Sequence, residues 1–281
     1  MDIRKINWYP GHMKKTGEMI KDNLKLVDVV VEVIDARIPE SGRNPTVKKL
    51  IGDKPEIIVL NKVDLADPAE TLRWNEKFGK ENLKSVNFNG ITGKGTEELY
   101  SALEDIKTSI LKNGMSRSLR IMVVGVPNTG KSSLINRLTG RKSTQTGDRP
   151  GVTRGKQWLT LSNGMQLLDT PGILWPKFED PDVGLKLAYC GSIKEEILDV
   201  AELALSFIEM MRSDYPGLLA ERYKLNSLGE SALETMEAIA LKRGFILSGK
   251  RIDYQRCART VMDEFRSGKT GRITLEKART V

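Results

Sequence analysis

Hydrophobic positions in the first half of the chain fall into short β-branched blocks. Val29–Ile34 ends in Asp35, Glu56–Leu60 ends in Asn61, Ser85–Phe88 is a shorter third block, and Ile121–Val124 runs into Gly125. Such continuous blocks predict strands buried on both faces. Between them Pro45–Ile51, Pro68–Phe78 and Thr96–Leu111 are compatible with helices. Strand, helix, strand, helix with short loops predicts an α/β fold, a mostly parallel sheet with helices on both faces. Trp158–Leu161 and Met165–Leu168, split by Asn163-Gly164, predict a hairpin at the sheet edge. Near the start, Trp8, Tyr9, Pro10 and Gly11 precede an amphipathic, lysine-bearing stretch with the pattern of a short helix.

From about Asp180 the pattern turns helical, without a convincing strand. Leu198, Ala201, Leu205 and Ile208 fit one helix face, and Cys257, Val261, Met262 and Phe265 fit another. The expected organisation is an α/β domain over 1–179 and a smaller all-α domain over 180–281. Lys112–Leu119 reads as a linker too short to separate two independent cores.

Composition narrows the function classes. Of 281 residues, 29% are charged and 39% apolar, an ordinary globular balance. The densest apolar run, Val29-Val30-Val31, is broken by Glu32 far short of a membrane span, and Pro10-Gly11 stands where a signal peptide needs an apolar block. Cys190 and Cys257 are too few for a disulfide framework or a zinc site, and His12 is the single histidine. A cytoplasmic protein with no membrane partner is expected. The net charge of +8 is uneven: residues 241–281 carry 11 basic and 4 acidic side chains, whereas 182–240 carry 5 and 11. A basic block of this kind suits a phosphate-rich partner, or else forms a solvated helix face.

Gly125-Val126-Pro127-Asn128-Thr129-Gly130-Lys131-Ser132 matches the phosphate-binding loop G-x-x-x-x-G-K-[ST], after a predicted strand and before an amphipathic stretch. Its glycines let backbone N–H groups turn toward a β-phosphate. Lys131 reaches the β- and γ-phosphates, and the Ser132 hydroxyl ligates Mg²⁺. Thr129, Gly130 and Ser133 complete the phosphate-binding set. Asn61-Lys62-Val63-Asp64 follows another apolar run. There the Asp64 carboxylate can accept from guanine N1–H and its exocyclic amine, whereas adenine would leave it unpaired. Asn89-Gly90 stands where GTPases usually place Ser-Ala, with the Gly90 amide positioned for the guanine carbonyl. Asp169-Thr170-Pro171-Gly172 supplies an Asp for a Mg²⁺-bound water and the Gly172 amide for a γ-phosphate, and Thr153 completes the Mg²⁺ set.

The succession is unusual. Small GTPases run phosphate loop, switch threonine, Asp-x-x-Gly, then Asn-Lys-x-Asp; here Asn61–Asp64 comes first. A permuted chain can rebuild the same site at the carboxyl ends of the strands if the old termini are joined, and Lys112–Leu119 is a plausible join.

This order resembles that of the circularly permuted GTPases. Trp8-Tyr9-Pro10-Gly11-His12-Met13, Asp35-Ala36-Arg37-Ile38-Pro39, Gly125–Ser132, Thr146–Thr153 and Asp169–Pro181 are similar to the YlqF/RbgA family, ribosome biogenesis GTPase A. The resemblance covers nearly the whole chain. It implies a bacterial GTPase acting late in large ribosomal subunit assembly, a helical RNA-binding domain, and GTP hydrolysis stimulated by that subunit. The expected partners are the subunit, its rRNA and GTP/GDP; a monomer is expected.

Many GTPases orient the attacking water with a Gln just after Asp-x-x-Gly; here Ile173 stands there. The resemblance nominates His12 as the water-orienting catalytic residue, against the plainer reading of a turn residue beside Pro10-Gly11. Asn128 matches cation-dependent GTPases in which this side chain helps bind K⁺, or it simply stabilises the turn. Ile173 also favours an alternative function, a GTP-dependent protein-recruiting switch with incidental hydrolysis. At the helical end, Asp253 is placed to cap a helix presenting Arg256, Arg259 and Arg266, with Lys269 and Arg272 beyond, a face suited to A-form RNA backbone.

Overall fold

The computed structural model describes residues 12–110, 117–140, 158–168, 180–194 and 198–278, with side chains from residue 18 onward. Two compact units emerge. One contains a sheet, and the other is Asp180–Ile273.

The sheet is built from β1 (Val29–Asp35), β2 (Glu56–Asn61), β3 (Lys84–Phe88), β4 (Arg120–Val124), β5 (Trp158–Thr160) and β6 (Gln166–Leu168), in the order β3-β2-β1-β4-β6-β5. Every neighbouring pair is parallel except β5 with β6, which form the edge hairpin. The same unit holds α1 (His12–Leu24), α2 (Pro45–Ile51), α3 (Pro68–Lys80), α4 (Thr96–Ile110) and α5 (Lys131–Thr139). All residues of the central strand β1 are buried. Val29, Val31 and Val33 pack with Leu99 and Leu103 of α4 and with Leu134, Ile135 and Leu138 of α5. On the opposite face Val30 meets Ile20, Leu24, Val47 and Ile51 of α1 and α2, while Ile34 meets Trp74 and Phe78 of α3. Burial on both faces is why these strands read as continuous apolar blocks. Asn44 and Asp67 cap α2 and α3, each with Pro in the first turn, which ends the preceding loops cleanly. Of the expected linker, 112–116 lies outside the described residues. Its last residues belong to the fold: Leu119 is buried, and Arg117 pairs with Asp28 through bonds of 2.7 and 2.8 Å.

The second unit packs α6 (Pro181–Tyr189), α7 (Val200–Asp214), α8 (Pro216–Tyr223), α9 (Ala232–Arg243) and α10 (Tyr254–Arg266). Phe207 lies between Tyr189 and Phe265, with ring centroids 5.3 and 4.6 Å away. Four details differ from the sequence reading. A short hairpin, β7 (Ile246–Leu247) with β8 (Arg251–Ile252), is present; strands of two residues are too short to leave a periodic signal. The deep stripe of α7 is Leu203, Ala204, Phe207, Ile208 and Met211, so Ala201 and Leu205 flank the buried face. Arg266 does not join a basic face; it donates to the Ala188 and Tyr189 carbonyls, both at 3.0 Å, at the carboxyl end of α6. Finally, residues 274–278 belong with the sheet unit, so they are not part of the helical one. Cys257, Val261, Met262 and Phe265 are buried, Asp253 caps α10, and Arg256, Arg259, Lys269 and Arg272 are exposed.

Among the described residues no helix is long and apolar enough to cross a membrane, and no group of His, Cys, Asp and Glu is arranged to hold a metal.

Candidate functional site

Because β1, β2, β3 and β4 run parallel, their carboxyl ends lie at one end of the sheet. That end carries Asp35, Asn61–Asp64, Asn89-Gly90 and Gly125–Ser132, the position at which α/β sheets bind ligands.

The loop after β4 is a tight backbone curl leading into α5. A Cβ on Gly130 (φ 92°) would lie 2.2 Å from Asn61 Nδ2, and one on Gly125 (φ 149°) would lie 2.3 Å from the Val33 carbonyl oxygen. Only glycine allows the Asn61 side chain and the Val33 backbone this close. Asn128 takes a left-handed conformation (φ 61°) with its side chain exposed. Thr129 is fully buried and donates its hydroxyl to the Val126 carbonyl at 3.1 Å; the Lys131 ammonium reaches the same carbonyl at 2.8 Å. Ser132 and Ser133 are half-buried in the first turn of α5, where the helix dipole favours an anion.

The loop after β2 is bonded directly to this curl. Buried Asn61 donates Nδ2 to the Thr129 carbonyl at 2.7 Å, while its Oδ1 accepts the Lys62 amide at 2.8 Å and the Gly90 amide at 3.1 Å. One amide side chain therefore ties together three loops. The Gly90 amide is engaged in holding Asn61. Lys62, at φ 61°, donates Nζ to the Asn128 carbonyl at 2.7 Å and to Asp35 Oδ2 at 2.9 Å. Val63 bonds its amide to the Phe88 carbonyl at 3.4 Å, and Asp64 is exposed at the rim. Asn89 organises its own loop, accepting the Ile91 and Thr92 amides on Oδ1 at 2.8 and 3.0 Å. Arg137 of α5 donates to the Ile91 carbonyl and braces the loop against the helix.

Asp35 and Arg37 complete the assembly, and motif reading assigned them no role. Arg37 Nε and Nη2 clasp the two Asp35 oxygens at 2.9 and 2.7 Å, with both side chains almost fully buried. Burial opposes the Asp35 charge, yet Arg37 and then Lys62 outweigh it and hold the carboxyl well below the usual carboxylate range. The available signal was an Asp ending an apolar strand block with an Arg two residues on.

Of the remaining sequence-predicted residues, Thr153, Asp169 and Gly172 lie outside the described residues. His12 opens helix α1 by its backbone, and its side chain lies outside the described ones. The structure thus brings together Asn61, Lys62, Val63, Asp64, Asn89, Gly90, Asn128, Thr129, Gly130, Lys131, Ser132 and Ser133. A dipole-backed cradle of amides and lysines suits a polyphosphate, and the adjoining acidic rim offers an acceptor to a base.

Residues 120–238 match the family described as "50S ribosome-binding GTPase". The chain is 42% identical over 277 residues to ribosome biogenesis GTPase A of Priestia megaterium, covering 96% of each chain. It is also similar to the GDP-bound structure of TM YlqF, with 34% identity, a TM-score of 0.69, and coverage of 92% of this chain and 98% of that one. GNP-bound YlqF from T. maritima matches with 32% identity, a TM-score of 0.68, and coverage of 95% and 100%.

Proposed function

The chain belongs to the ribosome biogenesis GTPase A family, and from that premise we propose that it hydrolyses GTP in a late step of large ribosomal subunit maturation, binding rRNA and using hydrolysis for release. The observation that carries this reading is the hydrogen-bonded union of the Asn61–Asp64 loop with the phosphate loop, Asn61 to Thr129 and Lys62 to Asn128. That union sets an acceptor for guanine beside a cradle for its phosphates. In this reading Asp64 selects guanine, Lys131 and the loop amides bind the phosphates, and Gly172 senses the γ-phosphate.

The donor set of Ser132, Thr153 and Asp169 is all oxygen, which fits Mg²⁺, and Ser132 stands at the start of α5 next to Lys131. Mg²⁺ bound there would neutralise phosphate charge. Asn128 would help hold K⁺, and His12 would orient the attacking water. The exposed Arg256, Arg259, Lys269 and Arg272 would meet rRNA backbone by charge and shape. The protein would act in the cytoplasm as a monomer.

The test is GTP turnover with and without purified large subunits at fixed salt, joined to co-sedimentation with a non-hydrolysable analogue. Strong stimulation and salt-sensitive, analogue-dependent association are expected. Absence of stimulation together with a stable protein partner would favour the recruiting switch.

A further inference from the structure

Residues 274–278 follow the helical unit and rejoin the sheet unit beside the strand that carries Asp35. Their anchors are specific. Leu275 donates its amide to the Arg37 carbonyl at 2.8 Å, and Trp74 donates Nε1–H to the Glu276 carbonyl at 2.9 Å. The buried Glu276 carboxylate accepts the Glu40 amide at 2.6 Å, the Ser41 amide at 3.1 Å, and the Ser41 hydroxyl. A buried carboxylate persists only when its acceptor sites are filled, and these charge-assisted bonds are the strong ones. The donors come from a single turn, closed by the Gly42 amide on the Ile38 carbonyl at 2.8 Å.

That turn begins at Arg37, whose guanidinium clasps Asp35; Asp35 accepts Lys62, and Lys62 grips the Asn128 carbonyl of the phosphate loop. An unbroken chain of bonds therefore runs from residue 276 to residue 128. We propose that Glu276 is a positioning residue for the guanine-nucleotide site. It fixes the 37–41 turn so that Arg37 and Asp35 hold Lys62 against the phosphate loop. The inference rests on the nucleotide reading above and adds a residue that lies in none of the nucleotide motifs.

The test is the Kd and dissociation rate of a fluorescent GDP on the full chain. Glu276→Ala should weaken binding about five- to tenfold, chiefly through faster dissociation, the scale of one charge-assisted contact. Leu161→Ala, at the buried residue that follows β5 in the hairpin, should lower stability and leave Kd unchanged. In a Lys62→Ala background Glu276→Ala should have little further effect, because the relay is already cut. Equal Kd changes in the Glu276 and Leu161 variants, or an undiminished Glu276 effect in the Lys62→Ala background, would overturn the proposal. If Glu276→Ala does not fold, Glu276→Gln decides. It keeps one acceptor without the charge, so a partial weakening supports the relay and a wild-type Kd overturns it. Wild-type protein that binds no guanine nucleotide would overturn the nucleotide reading itself; normal wild-type binding with an unchanged Glu276→Ala would overturn this inference alone.

Discussion

Lys62 donates its ammonium to the main-chain carbonyl of Asn128 at 2.7 Å, so the loop after β2 and the loop after β4 are held by one cation. That cation is fixed from behind by Asp35, at 2.9 Å, which is itself clasped by Arg37. The two loops proposed to read the base and bind the phosphates are thus hydrogen-bonded to each other although they lie far apart in the chain. The order of motifs along the sequence does not matter to this bond, because both loops lie at the carboxyl ends of parallel strands in one sheet.

Lys62→Ala removes one of the two bonds between these loops, leaving that of Asn61 to Thr129, and does not touch Lys131. GDP and GTP affinity should fall by about tenfold, the scale of a charge-assisted hydrogen bond. Titration with a fluorescent nucleotide reads this directly. Unchanged affinity would mean that the two loops keep their places without Lys62.

Asp64 stands exposed at the rim, immediately after the residues that secure its loop. Replacing its carboxylate with an amide in Asp64→Asn exchanges an acceptor for a donor, which matches the 2-carbonyl of xanthine in place of the guanine amine. Preference should move from GTP to XTP, measured by competition of the two nucleotides for one labelled ligand. A variant that still prefers GTP would remove Asp64 from base recognition.

His12 is the single imidazole of the chain, and the residue after the Asp-x-x-Gly motif is Ile173, which cannot hold water. His12→Ala should keep near-normal GTP affinity and lose turnover stimulated by large subunits, since an orienting group acts on the attacking water and not on the bound nucleotide. Single-turnover hydrolysis beside an affinity measurement separates the two. Stimulated turnover equal to wild type would leave no catalytic role for His12.

Much of the site was legible because its determinants are contiguous. Strand blocks ending in Asp35, Asn61 and Gly125 are local patterns, and the glycines of the phosphate loop answer to close approaches that any such loop makes. The Arg37–Asp35 pair is local but belongs to no nucleotide motif, whereas the Glu276 strap depends on partners brought together by folding, Ser41 and Glu276 being 235 positions apart. Charge along the chain is also not the same as charge on the surface. Arg266 is committed to the α6 carbonyls and Arg243 to Glu264 at 3.0 Å, so a basic stretch in the sequence overstates the basic surface. The two-residue strands β7 and β8 fall below the length at which alternation has meaning.

The last prediction concerns Glu32, which shares Arg43 with Glu56 on the face of β1 opposite α4 and α5. Arg43 Nε donates to Glu32 Oε2 at 2.8 Å, while Glu32 Oε1 is buried with no hydrogen-bond partner among the described residues. Burial first, and the neighbouring Glu56 charge second, push its carboxyl from 4.5 up to about 7 against the pull of Arg43. Between those values the folded chain keeps a proton that the unfolded chain has released. This contribution to stability is therefore complete below pH 4.5 and declines as pH rises through about 7. Asp35 is held low, so its own contribution is lost only as pH falls below its ordinary 3.8, outside this window. Glu32→Gln removes the titration and leaves Arg43 its bonds to Glu56 at 3.1 Å. Urea midpoints followed by tryptophan fluorescence between pH 4.5 and 8 should fall more steeply with pH in the wild type than in the variant. Every other titrating group is common to the two proteins, so equal slopes would show that Glu32 ionises at its ordinary value despite its burial.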